Sequence, residues 1–458
     1  MPFYKDEVLD VLAESGNVAQ FASFRPTESN VLLQTYCRVA GHPPNYKFSD
    51  PAAAVAALLS SSPDGTVNVR SFAPNSPRSQ EFVYGIGSVD EVLMNMARLA
   101  KAGLCLIVNE TIDVADGGVS GVVQGNVVEF APDDTPRCVE KPGVASLPYA
   151  LGIDMLSNVY GFAPELSSMP GGRLEFSVHP KPRGWRQTHT LLWEKEAGVS
   201  GEPKPAFTWP NRFSRHIGDK AFGLLVATYL GVPVPRTLVI SRRVRPFQFG
   251  SDTGSLEVWT RTCPAEPLPG LYTTVKGWAD PFALLAAEDP KGTSIRSVLC
   301  QSAVPAAFSG AAIVTASSEL LIEGRHGEGD RFMLGLDGPE ILPTSVTRDV
   351  SAIYSRLTQY LGEVRFEWVH DGERAWIVQL HCGGTATSKD ILVPGDPSSW
   401  INFDVALGLE ALRYTLESLP DGAGIVLVGD IGFTSHMADL TRKAAKPARL
   451  ARSEEVTA

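Results

Sequence analysis

Three groups of residues in this sequence have the types and spacing to do chemistry. The first is Gly218-Asp219-Lys220, which leads into an apolar helical run that stops at Gly-Val-Pro-Val-Pro, Gly231 to Pro235, before a short β-rich segment at 237–240. A lysine in a glycine-containing loop just ahead of a helix points its ammonium where the helix's free N–H groups point, which suits a phosphate. The second is residues 366–381, FEWVHDGERAWIVQLH, with a turn at Asp371-Gly372. Counting by twos from Glu367 along one strand and back across that turn brings Gln379 to the same face, so a carboxylate and an amide oxygen share one cleft. The third is Thr434-Ser435-His436, two hydroxyls and an imidazole at the start of a short helix.

The elements that must position these groups belong to a chain of 458 residues, long enough for about two to four compact units with buried cores. A composition 44% hydrophobic and 20% charged is that of a soluble globular protein, and a net charge of −11 argues against a nucleic-acid or anionic-membrane binder. No apolar run approaches the roughly 18 residues of a membrane span, and the N-terminus, rich in acids, has no signal-like core. Six scattered cysteines without a CxxC pair read as reduced thiols, which together predict a cytoplasmic protein.

Along the chain, residues 1 to about 60 read as helices on the spacing of Val8, Leu9 and Leu12, and again of Val55, Leu58 and Leu59. Residues 66–72 alternate as a strand does. Residues 88–102 predict a helix with Ser88 as its cap, Glu91 three residues on and Gly103 as its stop. Strands follow at 104–108 and 126–130, with a glycine-rich turn at 117–121 between them, then a helix at 149–160. Residues 173–179 and 188–194 read as paired strands around a turn at 180–185. Linkers are expected at 195–209 and 382–397, and a long helix around 400–419, a strand at 425–428 and a short helix after Ser435 complete the chain, ahead of a basic tail.

The spacing around Lys220 resembles the opening of the ATP-grasp nucleotide domain of the phosphoenolpyruvate synthase and pyruvate phosphate dikinase family, and further segments resemble that domain in the same order. VWTRT, 258–262, stands where the family has a strand whose arginine reaches the phosphates, which maps Arg261 onto it. Residues 268–274 resemble the loop that covers the triphosphate. Residues 297–310 resemble the strand and turn on the adenine side, with Gln301 and Ser309-Gly310 in the matching places, and 322–330 the segment that turns back to the nucleotide. The hairpin at 366–381 resembles the family's metal and nucleotide hairpin. The resemblance therefore implies ATP and Mg²⁺ as cofactors: Lys220, Arg261, Gln301, Glu367 and Gln379 bind the nucleotide, Glu367 and Gln379 the metal, and Lys220 and Arg261 also serve catalysis. Two positions depart from the family, which commonly has an acid where Arg365 stands and an arginine where His381 stands. The second exchange replaces a permanent cation by one only partly charged at neutral pH.

Residues 432–450 resemble the signature of the family's swivelling phosphohistidine domain, with Ala438, Arg442 and Pro447 in place, which makes His436 the phosphocarrier. An imidazole nitrogen is nucleophile and leaving group for a phosphoryl near neutral pH. Residues 390–399 resemble the opening of that domain, and the segment is abridged. In the first two hundred residues, Arg70, Ser120-Gly121 and Glu175 echo Arg261, Ser309-Gly310 and Glu367, which reads as a degenerate internal repeat. No counterpart of the lysine loop precedes Arg70, so a second complete nucleotide site is not expected.

The expectation is an α+β protein: an accessory or acceptor α/β domain at 1–200, an ATP-grasp nucleotide domain at 210–385 and a phosphohistidine-like segment at 390–458. Its function would be phosphotransfer from ATP through His436 to an unidentified small-molecule acceptor, with a homo-oligomeric state left open. A non-catalytic ATP sensor, or an ATP-grasp ligase forming an acyl phosphate, are the alternatives.

Overall fold

A computed structural model of the chain describes residues 5–451 apart from 30, 75, 77, 78, 200, 202, 267–271, 386 and 388–390. The chain divides into two units, Met1–Ala206 and Phe207–Ala458. The fold is α+β, built largely from antiparallel sheets with helices packed on their faces.

Unit 1 begins with α1 (Lys5–Ser15), the hairpin β1 (Phe21–Pro26) and β2 (Leu32–Arg38), α2 (Pro51–Ser61), β3 (Val67–Phe72), β4 (Ser79–Ile86), α3 (Val89–Ala100) and β5 (Cys105–Glu110). Its strands form a sheet of order β2-β1-β5-β3-β4, under which Val55, Leu58, Val92, Met96 and Leu99 of α2 and α3 bury a continuous core. Ser88 caps α3 by accepting the Glu91 N–H, as its spacing predicts. A second sheet is made by β6 (Val119–Gly125), β7 (Val127–Pro132), β8 (Ala145–Pro148), β9 (Met169–Arg183) and β10 (Thr188–Ala197), in the order β10-β9-β6-β7-β8. Helix α4 (Tyr149–Tyr160) lies between β8 and β9 in sequence and ends on Gly161 in the left-handed region.

Unit 2 opens with α5 (Arg212–Ile217) and α6 (Asp219–Tyr229), then β11 (Thr237–Ser241), β12 (Phe247–Phe249), β13 (Val258–Pro264), β14 (Thr274–Lys276), α7 (Pro281–Glu288) and β15 (Ile295–Ser302). The sheet order is β12-β11-β15-β13-β14. A four-stranded sheet follows from β16 (Phe308–Val314), β17 (Leu320–His326), β18 (Val364–His370) and β19 (Ala375–Cys382), in the order β17-β16-β18-β19. Between β17 and β18 run α8 (Asp330–Met333) and α9 (Thr344–Leu361), whose Val346, Val350, Ile353 and Leu357 form its buried stripe. The unit ends with β20 (Ile391–Val393), β21 (Ser399–Asp404), α10 (Gly408–Glu417), β22 (Ala423–Val428), α11 (His436–Ala444) and β23 (Ala448–Ala451). Here β21, β22 and β23 run parallel, joined by the two helices, and Leu412, Leu416, Ile425, Leu427, Met437 and Leu440 fill the core.

Two expectations are corrected. Helix does not extend through residue 60, because 21–26 and 32–38 are strands; Phe21, Ala22, Ser23 and Phe24 are all buried, so no alternation marks them. The long helix expected at 400–419 begins only at Gly408, and Trp400 and Phe403 lie instead on a strand paired with β22. Most of the loop expected at 268–274, and part of the linker expected at 382–397, lie outside the described residues.

Candidate functional site

The loop carrying Lys220 is held by its neighbours on both sides. Asn211 caps α5 with a reciprocal pair of bonds to Ser214, at 2.7 and 2.8 Å. The helix then ends at Gly218, whose φ is +101° and where a Cβ would lie 2.3 Å from Ser297 Oγ and 2.8 Å from Cys263 Sγ. Glycine alone lets the chain turn this tightly against the sheet. The turn starts α6 over β13, where Lys220 Nζ donates to the Thr262 carbonyl at 3.2 Å. Burial, together with the nearby Arg261, lowers the pKa of this ammonium from its ordinary value.

Arg261 stands on the neighbouring strand position and spans to the second sheet. Its Nη1 donates to the Val378 carbonyl at 3.5 Å and lies 3.9 Å from Glu367 Oε2. Val378 is the extra residue of a bulge in β19, between Ile377 and Gln379, so the bulge turns this carbonyl out of the ladder and toward the arginine. Glu367 and Gln379 are direct cross-strand partners, so they share a face as the period-two count requires. Asp330 at the start of α8 joins this group: burial raises its pKa, and Arg261 and Glu367 are among the charges acting on it.

Lys220, Arg261, Glu367 and Gln379 are thus brought together between the first two sheets of unit 2. Gln301 is buried on β15, where it is cross-strand partner to Trp259 and donates to Thr237 Oγ1 at 3.2 Å. It shares its sheet face with Arg261, and its amide is engaged in the protein rather than offered to a ligand.

The two departures on the hairpin are coupled, since Arg365 and His381 are also cross-strand partners. His381 is not partly charged, as its residue type had suggested. Burial first, then the charges of Arg365 and Lys220, push its pKa down to about 3, so the ring is neutral at physiological pH and shares a 2.6 Å hydrogen bond with the Gln379 amide. Arg365 in turn donates to Asp439 of α11 at 3.0 Å. Burial alone would raise the Asp439 carboxyl, but Lys443, 2.8 Å away, and Arg365 hold it at about 2.

His436 is the first residue of α11, behind Ser435, which caps the helix by accepting the Ala438 N–H. His436, Asp439 and Lys443 follow at spacings of three and four and lie on one face of the helix. That face is the one Arg365 engages. A second tie precedes the histidine: Glu323 of β17 accepts from Thr434 N at 2.9 Å and Thr434 Oγ1 at 3.0 Å. Burial raises the Glu323 pKa while these donors oppose the rise. Asp439 and Lys443 escaped sequence reasoning, because only the folded chain brings α11 to the hairpin 74 residues earlier. Helical spacing from His436 was the one available signal.

Chemically, two cations, Lys220 and Arg261, two carboxylates, Glu367 and Asp330, and the Gln379 amide gather where the two sheets meet, an arrangement matched to a polyanion that carries its own counter-ion. Among the described residues no group of three or more His, Cys, Asp or Glu side chains gathers to hold a metal. The donor set therefore fits a magnesium ion that arrives with phosphate and water ligands, with Glu367 as its protein carboxylate.

No family model and no curated protein matches the sequence. Among solved structures the chain is similar to a RimK domain protein ATP-grasp from Sphaerobacter thermophilus DSM 20745, with TM-score 0.24 and 20% identity over 36% of this chain and 60% of that one. It is also similar to D-alanine-D-alanine ligase from Helicobacter pylori, with TM-score 0.25 and 10% identity over 37% and 52% of the two chains. A third is the macrocyclase MdnC bound with precursor peptide MdnA from Microcystis aeruginosa MRC, with TM-score 0.24 and 14% identity over 36% and 52%. This chain thus spans 52 to 60% of the length of those proteins. At such TM-scores the likeness adds nothing to what the strand order and side chains of unit 2 already display.

Proposed function

We propose that unit 2 contains an ATP-grasp-type nucleotide domain that binds Mg-ATP between its first two sheets and transfers a phosphoryl group to His436. The observation that supports this reading is the seat of α11. The helix face bearing His436 is tied to the hairpin that also carries Glu367 and Gln379, through Arg365 and Asp439 at 3.0 Å. In this reading Lys220 and Arg261 neutralise phosphate oxygens, while Glu323 fixes the loop ahead of the histidine. Magnesium, when bound, supplies charge neutralisation on the phosphates, with Glu367 as its protein ligand. An imidazole nitrogen of His436 bonds to the β-phosphorus as the bond from that phosphorus to the AMP oxygen breaks, and water then cleaves the terminal phosphate from the histidine-borne diphosphate. Across the cycle ATP, water and His436 yield phosphohistidine, AMP and phosphate. The phosphoryl group then passes to a small-molecule acceptor.

The test is incubation of the purified protein with Mg-ATP, following nucleotides by chromatography and the protein by intact mass, beside His436→Ala and Lys220→Ala. AMP formation with an added phosphoryl mass that disappears in His436→Ala is the expected result. ADP formation that survives His436→Ala and rises with a carboxylate substrate would instead indicate a ligase making an acyl phosphate. Absence of turnover in all three, with nucleotide binding weakened in Lys220→Ala, would indicate a sensor.

A further inference from the structure

Nine strands of unit 1 recur in the order of nine strands of unit 2. The sheet β2-β1-β5-β3-β4 corresponds to β12-β11-β15-β13-β14, and β10-β9-β6-β7 corresponds to β19-β18-β16-β17. The correspondence extends to register. Arg70 faces Ile107 as Arg261 faces Leu299, and Glu175 pairs with both Val122 and Glu194 as Glu367 pairs with Ala311 and Gln379. Arg173 pairs with Glu196 where Arg365 pairs with His381. Even the bulge recurs: Trp193 is extra between Leu192 and Glu194, as Val378 is between Ile377 and Gln379. The glycines agree too, since a Cβ on Gly121 would lie 1.9 Å from the Glu129 carbonyl and one on Gly310 2.0 Å from the Glu323 carbonyl.

At the place where Lys220 enters unit 2 from the start of α6, Lys5 enters unit 1 from the start of α1. Its Nζ donates to Ser79 Oγ of β4 at 3.0 Å, and Arg70 of the first sheet, Glu194 of the second and Arg137 are the charges acting on it. The lysine that sequence reading did not find ahead of Arg70 therefore comes from the first helix of the chain.

We infer that unit 1 holds a second site, for a magnesium-bound polyphosphate, formed by Lys5, Arg70 and Arg173 around Glu175 and Glu194. Three features of the cluster point to a ligand. Arg70 has no hydrogen bond or ion pair among the described residues, and its guanidinium instead stacks on Phe82 at 5.6 Å. Glu175 and Glu194 are directly opposed carboxylates, a repulsive pairing that a divalent cation relieves. Arg173, 2.7 Å from Glu175 Oε1, offsets one of the two. Burial also disfavours the charged forms of Lys5 and Arg70, which a polyanion beside them would offset. Relative to unit 2, glutamate replaces glutamine at Glu194, which strengthens the metal side of the site. The inference shares its ligand chemistry with the proposed site of unit 2 but rests on different residues, and the test separates them.

The experiment is calorimetric titration of the full-length protein with a magnesium-bound non-hydrolysable ATP analogue and, in a second arm, with magnesium tripolyphosphate. Wild type, Arg70→Ala, Arg70→Lys, Lys220→Ala and the Arg70→Ala/Lys220→Ala double variant are compared, with circular dichroism to verify folding. Two binding events are expected in wild type. One weakens roughly tenfold or more in Arg70→Ala and partly recovers in Arg70→Lys, while the other weakens in Lys220→Ala. Binding of the analogue alone would mean that the nucleoside is read, and equal binding of tripolyphosphate would mean that the phosphates suffice; both support the site. A single event that survives in Lys220→Ala and weakens in Arg70→Ala supports this site and sinks the reading of unit 2. A single event insensitive to Arg70→Ala, in a protein that folds normally, overturns the inference.

Discussion

Asp439→Asn is the perturbation that most directly examines the seat of α11. The Asp439 carboxyl is held at about 2 against an ordinary 3.8, first by Lys443 and then by Arg365, against the opposing effect of burial. At about 1.4 kcal/mol for each pKa unit, the charge contributes about 2–3 kcal/mol to the folded helix, shared between Lys443 and Arg442 of α11 itself and Arg365 of the hairpin. Because the folded value lies below the unfolded one, that contribution is complete above pH 4 and is lost as pH falls from there toward 2. The assay is amide hydrogen exchange on peptides covering 436–444 in the full-length protein at pH 7. A loss of this size raises local opening by about 30- to 160-fold. Arg365→Met is expected to produce a smaller rise, since Lys443 still holds Asp439, and the double variant to cost clearly less than the sum, since the two side chains meet at 3.0 Å. Phosphoryl incorporation should fall in parallel if this seat delivers the histidine. Exchange of Asp439→Asn within twofold of wild type, or strict additivity with Arg365→Met, would refute the reasoning.

Lys220→Ala should weaken binding of a magnesium-bound ATP analogue by roughly 10- to 100-fold, the worth of one charge-assisted phosphate contact, as read by titration. Gly218→Ala puts a Cβ 2.3 Å from Ser297 Oγ at a φ of +101° and is expected to cost about 2–3 kcal/mol, seen as a lower melting temperature and faster proteolysis in the 211–230 region. His381 has its folded pKa depressed to about 3 from 6.5, so the unfolded chain takes up a proton first as pH falls and stability drains away between pH 6.5 and 3. Between pH 7 and 5 this amounts to about 2 kcal/mol, and His381→Gln should remove that part of the acid sensitivity in denaturant titrations at the two pH values.

Several features were legible in the amino-acid sequence because they are local. The facing of Glu367 and Gln379 follows from the strand period and the Asp371-Gly372 turn, and the structure pairs them. The Ser88 cap and the helix Tyr149–Tyr160 follow from capping and spacing over a dozen residues. The cap at Ser435 likewise puts His436 at a helix start. What the sequence could not supply is pairing between distant segments. The strand at 399–404 exists because β22 lies beside it in parallel, and its own Trp400 and Phe403 suit a helix spacing equally well. The charge of His381 depends on burial and on Arg365 and Lys220, neither of which is visible from the residue type. Asp439 reaches Arg365, and Lys5 comes under the charge of Glu194, only after sheets have assembled across 74 and 189 residues. Residue types and short-range spacing are chemistry that a single turn or strand can express. Which charges are desolvated together is a property of packing, and packing alone decided it here.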